Sequence, residues 1–135
     1  MTEPVLKGNE TNIPIAPEFF VRNITSSVTC YEGLGFEVIR RQCDFAIVAL
    51  GGAVVLLAKQ ESDEGALARW LASGPHGIGV NIRIFVQDVD AMLRRVTSSG
   101  ATVWQEIADR DYGLRDFIAA DPDSYLLRFA APIER

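Results

Sequence analysis

The strongest constraint on the fold is a pattern that occurs twice, with the second copy 65 residues after the first. In each copy a short apolar strand leads to an Asn or Asp helix cap, an apolar helical stripe, a glycine and further extended runs. An ordered series of matches of this kind indicates an internal duplication. The matched positions are Phe20-Val21 with Phe85-Val86, Asn23-Ile24 with Asp88-Val89, Val28 with Leu93, Gly35 with Gly100 and Val38 with Val103.

Each copy contains one helix and four extended segments. In the first copy, Asn23 is a good helix cap, and Ile24, Val28 and Tyr31 lie on one helical stripe. Strands are predicted at about 16–21, 36–41, 45–50 and 53–58 in this copy, followed by a connecting helix at about 62–73. In the second copy, strands are predicted at about 80–86, 102–107, 115–120 and 125–130, with a helix capped by Asp88.

The order of elements predicts an α+β fold. Two βαβββ repeats, at about 15–60 and 77–133, are expected to form a curved eight-stranded sheet with helices outside and a concave groove inside. Residues 1–14 are polar and aperiodic, and are expected to be a loose tail before a single domain at 15–135. The groove is where a ligand is expected to bind.

Charge and cysteine content restrict the partners. A formal net charge of -5 argues against nucleic acid and anionic membranes, and it fits a cationic or neutral ligand better. Cys30 and Cys43 lie in no metal-binding pattern and are expected to be buried free thiols. No signal peptide is recognisable, and the apolar stretch 45–58 is too short to span a bilayer, so a cytoplasmic location is expected.

Two segments bring a known family to mind. Cys30-Tyr31-Glu32-Gly33-Leu34-Gly35-Phe36 resembles the F-Y-E-R-L-G-F segment of bleomycin-resistance proteins. The run from Tyr112 to Ser124 resembles the family's G-x-R-x-F followed by D-P-D-G, with Ser124 in place of the last glycine. The resemblance covers about residues 16–133 and implies the vicinal oxygen chelate superfamily. That superfamily includes glyoxalase I, extradiol dioxygenases, fosfomycin-resistance enzymes and non-catalytic antibiotic binders.

The resemblance also locates the metal ligands of the enzymes, on the first, fourth, fifth and eighth strands. The four positions hold Ala16, Leu56, Asn81 and Arg128 in this chain. None offers the carboxylate, imidazole or thiolate that binds a divalent ion, and the arginine would repel one. A conventional metal site is therefore not expected, and neither a metal nor another cofactor is predicted.

Strand alternation assigns the remaining groove residues, because every second side chain of a strand points to the same face. The resulting wall is mostly apolar with a few charges, which is typical of a pocket for a drug-sized molecule. Phe19, Val21, Ile82 and Ile84 alternate with it and are expected to face the helices. The resemblance adds Trp104 and Tyr112, because the region around 109–111 borders the groove in this family. Together, the predicted ligand-binding residues are Glu18, Phe20, Leu56, Asn81, Arg83, Phe85, Trp104, Tyr112, Arg115, Phe117 and Arg128.

Several of these residues have a second interpretation. Glu18 can form an internal ion pair with Arg83 or Arg128 instead of contacting a ligand, because unpaired charges in a half-buried groove are costly. Trp104 and Tyr112 either stack on a flat ligand or only pack against the protein.

Four further positions are informative. Arg115 and Phe117 share one face of their strand and are second-rank ligand contacts, or simply parts of a structural strand. Trp70 is expected in the core or at an interface, and His76 in a solvated loop.

Three functions remain open at this point. The first is a non-catalytic binder that sequesters an antibiotic or another heteroaromatic molecule. The second is an enzyme, either with displaced metal ligands or with Glu18 as a metal-independent base. The third is a structural or regulatory partner without a small ligand. The family implies a homodimer for the binder, with or without exchanged halves.

Overall fold

The computed structural model describes residues 15–60 and 66–134. The predicted tail at 1–14 and the predicted start of the connecting helix at 62–65 lie outside this range, and so does the side chain of Leu67. The described residues form β1 (Glu18–Val21), α1 (Ile24–Gly33), β2 (Glu37–Arg41), β3 (Phe45–Leu50), β4 (Ala53–Lys59), α2 (Ala66–Ala72), β5 (Asn81–Phe85), α3 (Val89–Val96), β6 (Thr102–Asp109), β7 (Leu114–Ala120) and β8 (Leu126–Pro132).

Element order confirms the two βαβββ units, but the sheet is divided. The strands form two four-stranded sheets, in the orders β1-β4-β3-β2 and β5-β8-β7-β6. In each sheet the first strand pairs with the fourth in parallel, and the other pairs are antiparallel. The eight expected strands are all present in the described chain, and they are divided between two sheets because β1 and β5 pair only within their own sheets. Between them lies a cleft.

The helix starts follow the cap prediction. The side chain of Asn23 accepts a hydrogen bond from the Ser26 amide at 2.9 Å, and that of Asp88 accepts one from the Ala91 amide at 3.0 Å. Each bond satisfies an amide that the first helical turn leaves without a partner. In the described part of the chain, no helix is long and apolar enough to cross a membrane.

The outer strands β2 and β6 both carry a β-bulge. The register shifts between Val38 and Arg40 in β2, and between Val103 and Gln105 in β6. These two positions are 65 residues apart, so the bulge itself is part of the repeat. A second shift, between Gln105 and Ala108, occurs in β6 only.

One hydrophobic core unites the two halves. The helix-covered sides of both sheets contribute to it, with Phe19 and Val21 from β1 and Ile84 from β5 among its buried members. Ile82 is half-buried and packs against the same core, so the four residues expected to face the helices do so.

The turn between β7 and β8, residues 121–125, joins the second half to the first. Tyr31 of α1 is fully buried and donates a hydrogen bond to Asp121 Oδ2 at 2.7 Å. The Nε of Arg22 lies 2.8 Å from Asp123 Oδ1. The part of the sequence that resembles the D-P-D-G motif is therefore the contact between the two units.

One sequence expectation outside the site is corrected, and another is narrowed. Cys30 is buried, as expected, whereas Cys43 is exposed, because it lies in the β2–β3 connection and not on a strand face. Trp70 was expected in the core or at an interface; in the chain alone it is 69% exposed, so it is not in the core, and the interface stays a prediction. On α2 the buried residue is instead its neighbour Leu71.

Candidate functional site

The side of the second sheet that faces away from the core carries a buried carboxylate and neighbouring arginines. Ile84 and Phe129 are register partners that point into the core. Because strand side chains alternate, the flanking pairs point to the opposite side. We call this surface the second-sheet face, and define it by Arg83, Phe85, Asp116, Ile118, Arg128 and Ala130.

Register arranges these residues in two rows across the sheet. Arg83 is the partner of Arg128, which in turn is the partner of Ile118. In the next row, Phe85 pairs with Ala130 and Ala130 with Asp116. Neighbouring strands are about 4.8 Å apart, so Arg83 and Arg128 extend from adjacent positions on the same face.

At the centre of the face is a buried carboxylate with three donors. Asp116 has no exposed side-chain surface. Its Oδ1 accepts from Arg110 Nε at 2.8 Å, and its Oδ2 accepts from the Tyr112 hydroxyl at 2.7 Å and from Arg128 Nη1 at 3.2 Å. A buried charge is tolerated only when it is paired and hydrogen-bonded in this way.

These contacts fix the ionisation of the cluster. Burial alone raises the pKa of Asp116, but hydrogen bonds from Tyr112, Arg110 and Arg128 outweigh it and hold the pKa below its usual value. The same bond to Asp116 raises the pKa of the Tyr112 hydroxyl. At neutral pH the carboxylate is therefore charged and the phenol is not.

The local charge of this face is opposite to that of the whole chain. Arg83, Arg110 and Arg128 present three guanidinium groups, against the single carboxylate of Asp116. A net charge of -5 led us to expect a cationic or neutral ligand. The second-sheet face is instead a local exception with excess positive charge, which attracts anions.

The four positions of the family's metal ligands do not fit a divalent ion. Ala16 and Leu56 supply only hydrocarbon, and Asn81 is an exposed amide on β5. Arg128, at the fourth position, directs its guanidinium to Asp116 and Tyr112. Among the described residues, no group of three or more His, Cys, Asp or Glu is arranged to hold a metal.

A concavity lies in the cleft between the two sheets. Its volume is about 460 Å³, within the range of ligand pockets. Glu18 and Phe20 line it from β1, and Leu126 lines it from β8. The loop after α2 supplies His76, which is half-buried with Nε2 2.8 Å from Gln60 Oε1, and so is not the solvated histidine we expected.

The predicted ligand-binding residues are thus distributed over several places. Arg83, Phe85, Tyr112 and Arg128 come together on the second-sheet face, with Asn81 at its margin. Glu18 and Phe20 are in the cleft, Leu56 is on the first sheet, and Trp104, 61% exposed, lies at the β6 bulge.

Two predicted contacts are on the wrong side of β7. Phe117 is completely buried and packs against Phe129, with ring centroids 5.6 Å apart. Arg115 lies on that same side and binds Asp90 and Asp109, both at 3.0 Å. Register explains the correction, because Ile118 and not Phe117 is the partner of Arg128.

The internal ion pair proposed for Glu18 is also absent from the described chain. Arg128 pairs with Asp116 instead, and Glu18 is exposed at the cleft. Sequence reasoning missed Asp116 and Arg110 altogether. The available signal was strand parity: counted from Arg128 across the β7–β8 turn, Asp116 falls on the groove side.

Comparison with known proteins agrees with this architecture. Residues 15–129 match the model of the Glyoxalase/Bleomycin resistance protein/Dioxygenase superfamily. No curated protein matches the sequence.

Solved structures share the fold at low sequence identity. A family enzyme from Burkholderia phytofirmans PsJN is 20% identical with a TM-score of 0.72, covering 86% of this chain and 95% of its own. A hypothetical protein from S. aureus is 19% identical with a TM-score of 0.71, covering 91% and 99%. TioX from Micromonospora sp. ML1 is 21% identical with a TM-score of 0.66, covering 90% and 97%. The chain therefore belongs to the glyoxalase/bleomycin resistance protein/dioxygenase superfamily.

Proposed function

We propose that this chain is a non-catalytic binding protein that sequesters a flat heteroaromatic molecule, such as an antibiotic, in the groove bordered by the second-sheet face. The observation that carries the proposal is the ion pair between Arg128 and Asp116. At the position where the resemblance puts an acidic metal ligand, a guanidinium is held by a buried carboxylate. With Arg110 bound to the same carboxylate, the cluster carries a net positive charge that repels a cation, and it offers donors that orient a ligand.

Exposed aromatic surface supports binding of a flat molecule. Phe85 is 61% exposed and Tyr112 is 52% exposed, both at the second-sheet face. Aromatic rings stack well on such surfaces and contribute large apolar contact areas. Trp104, at the β6 edge of the same sheet, adds a third exposed ring.

A homodimer is part of the proposal. Phe85 and Trp104 are joined by further large exposed apolar residues at the cleft, namely Trp70, Ile78 and Val80. Large exposed apolar side chains of this kind mark ligand or protein contacts when a partner covers them. A partner chain lying over these residues would close the groove around its ligand, with the halves of the two chains either exchanged or not. Sedimentation equilibrium measures the mass, and a monomer at micromolar concentration would contradict this part.

A thermal-shift screen tests the function. Purified protein is heated with heteroaromatic antibiotics, with bleomycin, and with Zn²⁺, Ni²⁺ or Mn²⁺. A ligand that binds only the native state raises the midpoint, by an amount that grows with its concentration relative to its Kd. We expect at least one antibiotic to raise it and the metals to leave it unchanged.

Paired tryptophan variants then locate the bound molecule. Trp104→Ala removes a ring at the β6 edge, and Trp70→Ala removes another exposed ring at the cleft. Loss of the shift in the first variant only would place the ligand at the second sheet. A stoichiometric metal in the purified protein, together with a turnover that a chelator abolishes, would contradict a non-catalytic binder.

A further inference from the structure

The charge and the aromatic surface of the second-sheet face together specify a class of ligand. We propose that this face binds a planar aromatic carboxylate, with the carboxylate between Arg83 and Arg128 and the ring lying on Phe85 and Tyr112. The inference rests on the proposed function and narrows it to an anionic ligand, opposite in charge to what the whole chain suggests.

The anion position follows from the donors that the fold leaves available. Arg83 is exposed and forms no ion pair within residues 15–60 and 66–134. Its register partner Arg128 is 18% exposed, and its hydrogen bonds in the described chain are made through Nη1 alone. Two neighbouring guanidinium groups match the two oxygens of a carboxylate, and charge-assisted bonds of this type are among the strongest in proteins.

The carboxylate already present does not neutralise this position. Both oxygens of Asp116 are occupied, Oδ1 by Arg110 and Oδ2 by Tyr112 and Arg128. Asp116 therefore forms no ion pair with Arg83. The carboxylate of Asp109, at the end of β6, lies on the other face of the sheet, where it binds Arg115 at 3.0 Å.

The ring position follows from geometry. Phe85 and Asp116 are separated by one residue, Ala130, across the strands, so their Cα atoms are roughly 10 Å apart. Tyr112 belongs to the β6–β7 turn, and its hydroxyl lies 2.7 Å from Asp116 Oδ2 on β7, the strand two places from β5 and Phe85. Ala130 is buried, so a ligand lies on the two rings and not beneath them. A fused two-ring system is long enough to contact both.

The test uses three probes of one shape and different charge: 2-naphthoate, 2-naphthamide and 2-naphthylmethylammonium. Calorimetric titration of the full chain gives the three affinities. We expect 2-naphthoate to bind about tenfold more tightly than the amide, since one to two charge-assisted bonds distinguish them, and the ammonium to bind most weakly. The preference should shrink as salt is added.

Arg83→Ala is the diagnostic variant, because the residue is exposed and its loss leaves no partner unpaired. It should reduce 2-naphthoate affinity about tenfold and leave the amide unchanged. Arg94→Ala, an equally exposed arginine on α3, is the matched control and should change neither. Phe85→Ala should weaken both probes, because it removes ring contact and not charge.

The outcomes separate this inference from the proposed function. Equal or tighter binding of the amide or ammonium, or an unchanged 2-naphthoate affinity in Arg83→Ala, would overturn the anion preference while the binding function stands. Failure of all three probes alongside a positive antibiotic screen would do the same. Failure of the probes and of every antibiotic would overturn both.

Discussion

The hydroxyl of Tyr125 bonds to both backbone groups of Phe20, accepting from the amide at 3.0 Å and donating to the carbonyl at 2.9 Å. At this point of β1, the Tyr125 side chain thus satisfies the two backbone groups that a neighbouring strand would otherwise bond. The Tyr125 ring also stacks on Phe19, with centroids 4.1 Å apart.

Tyr125→Phe should lower the free energy of unfolding by about 1–3 kcal/mol, because two half-buried backbone groups lose their partner. Urea denaturation at pH 7 measures this change. Tyr125→Leu, which also loses the stack on Phe19, should cost more than the phenylalanine variant. An unchanged midpoint in Tyr125→Phe would mean that water replaces the hydroxyl without cost.

Asp116→Asn should lower stability by about 2–4 kcal/mol, since it leaves Arg110 and Arg128 facing each other without the buried carboxylate. The pKa of Asp116 is depressed in the folded state. Its contribution is therefore complete above the unfolded-state value of about 3.9 and is lost as the pH falls through the lower folded value.

The pH dependence provides the check on that variant. Unfolding free energies of the wild type and Asp116→Asn are compared between pH 2 and pH 7. Their difference should be constant from pH 5 upward and should shrink in acid. A difference that grows in acid would contradict the assignment of the charged form.

Ser124→Gly should stabilise the protein by about 0.5–1 kcal/mol. Ser124 has a φ of 75°, a left-handed conformation that costs an L-residue about 1–2 kcal/mol. Glycine relieves this strain, but it also increases the conformational entropy of the unfolded chain, which offsets part of the stabilisation. Thermal unfolding measures the gain. Ser124→Ala keeps the Cβ and should bring none, so equal midpoints for the two variants would contradict strain as the cause.

Gly33→Ala should destabilise the fold by about 1–3 kcal/mol, although alanine is the better helix former. A Cβ at this position would lie 2.8 Å from Ser99 Cβ and 2.9 Å from its Cα, where α1 meets the segment after α3. Gly52→Ala is the control, because nothing lies within 4 Å of its added Cβ. If the two variants are equally stable, Ser99 moves aside at no cost and the predicted clash is wrong.

Only one of the two thiols should react in the native protein. Burial raises the pKa of Cys30 to about 11, so at pH 8 little nucleophilic thiolate is present there. Cys43 is exposed. A chromogenic disulfide reagent should therefore titrate one thiol per chain in buffer and two in denaturant. Cys43→Ser should abolish the native reaction, and a persistent signal in it would contradict the burial of Cys30.

The repeat was sufficient to predict the order of the elements, because caps and apolar periodicity are local signals. Alternation also placed Phe19, Val21 and Ile84 correctly, since each belongs to a strand whose face was set by a family position. The same rule failed for Phe117, where the choice of face depends on the register with β8. A shift of one residue exchanges the two faces, and sequence alone does not give the pairing.

The polar cluster and the cleft were harder to predict from the sequence for a similar reason. Parity across the β7–β8 turn indicates only the face on which Asp116 lies; its contacts with Arg128 and with Arg110 of the β6–β7 turn form only when β7 and β8 are in register. The cleft collects residues from β1, β8 and the loop after α2, which are brought together by packing between the halves. Long-range pairing of this kind leaves little trace in local patterns.

The paired bulges in β2 and β6 bear on how two copies of this chain can join. Both lie on outermost strands, whose free backbone groups would otherwise invite another strand, and a bulge interrupts the regular row that such an addition needs. Backbone pairing between two copies is then favoured at β1 and β5, the outer strands without a bulge. Tyr125 already occupies β1 at Phe20, which makes β5 the more accessible of the two.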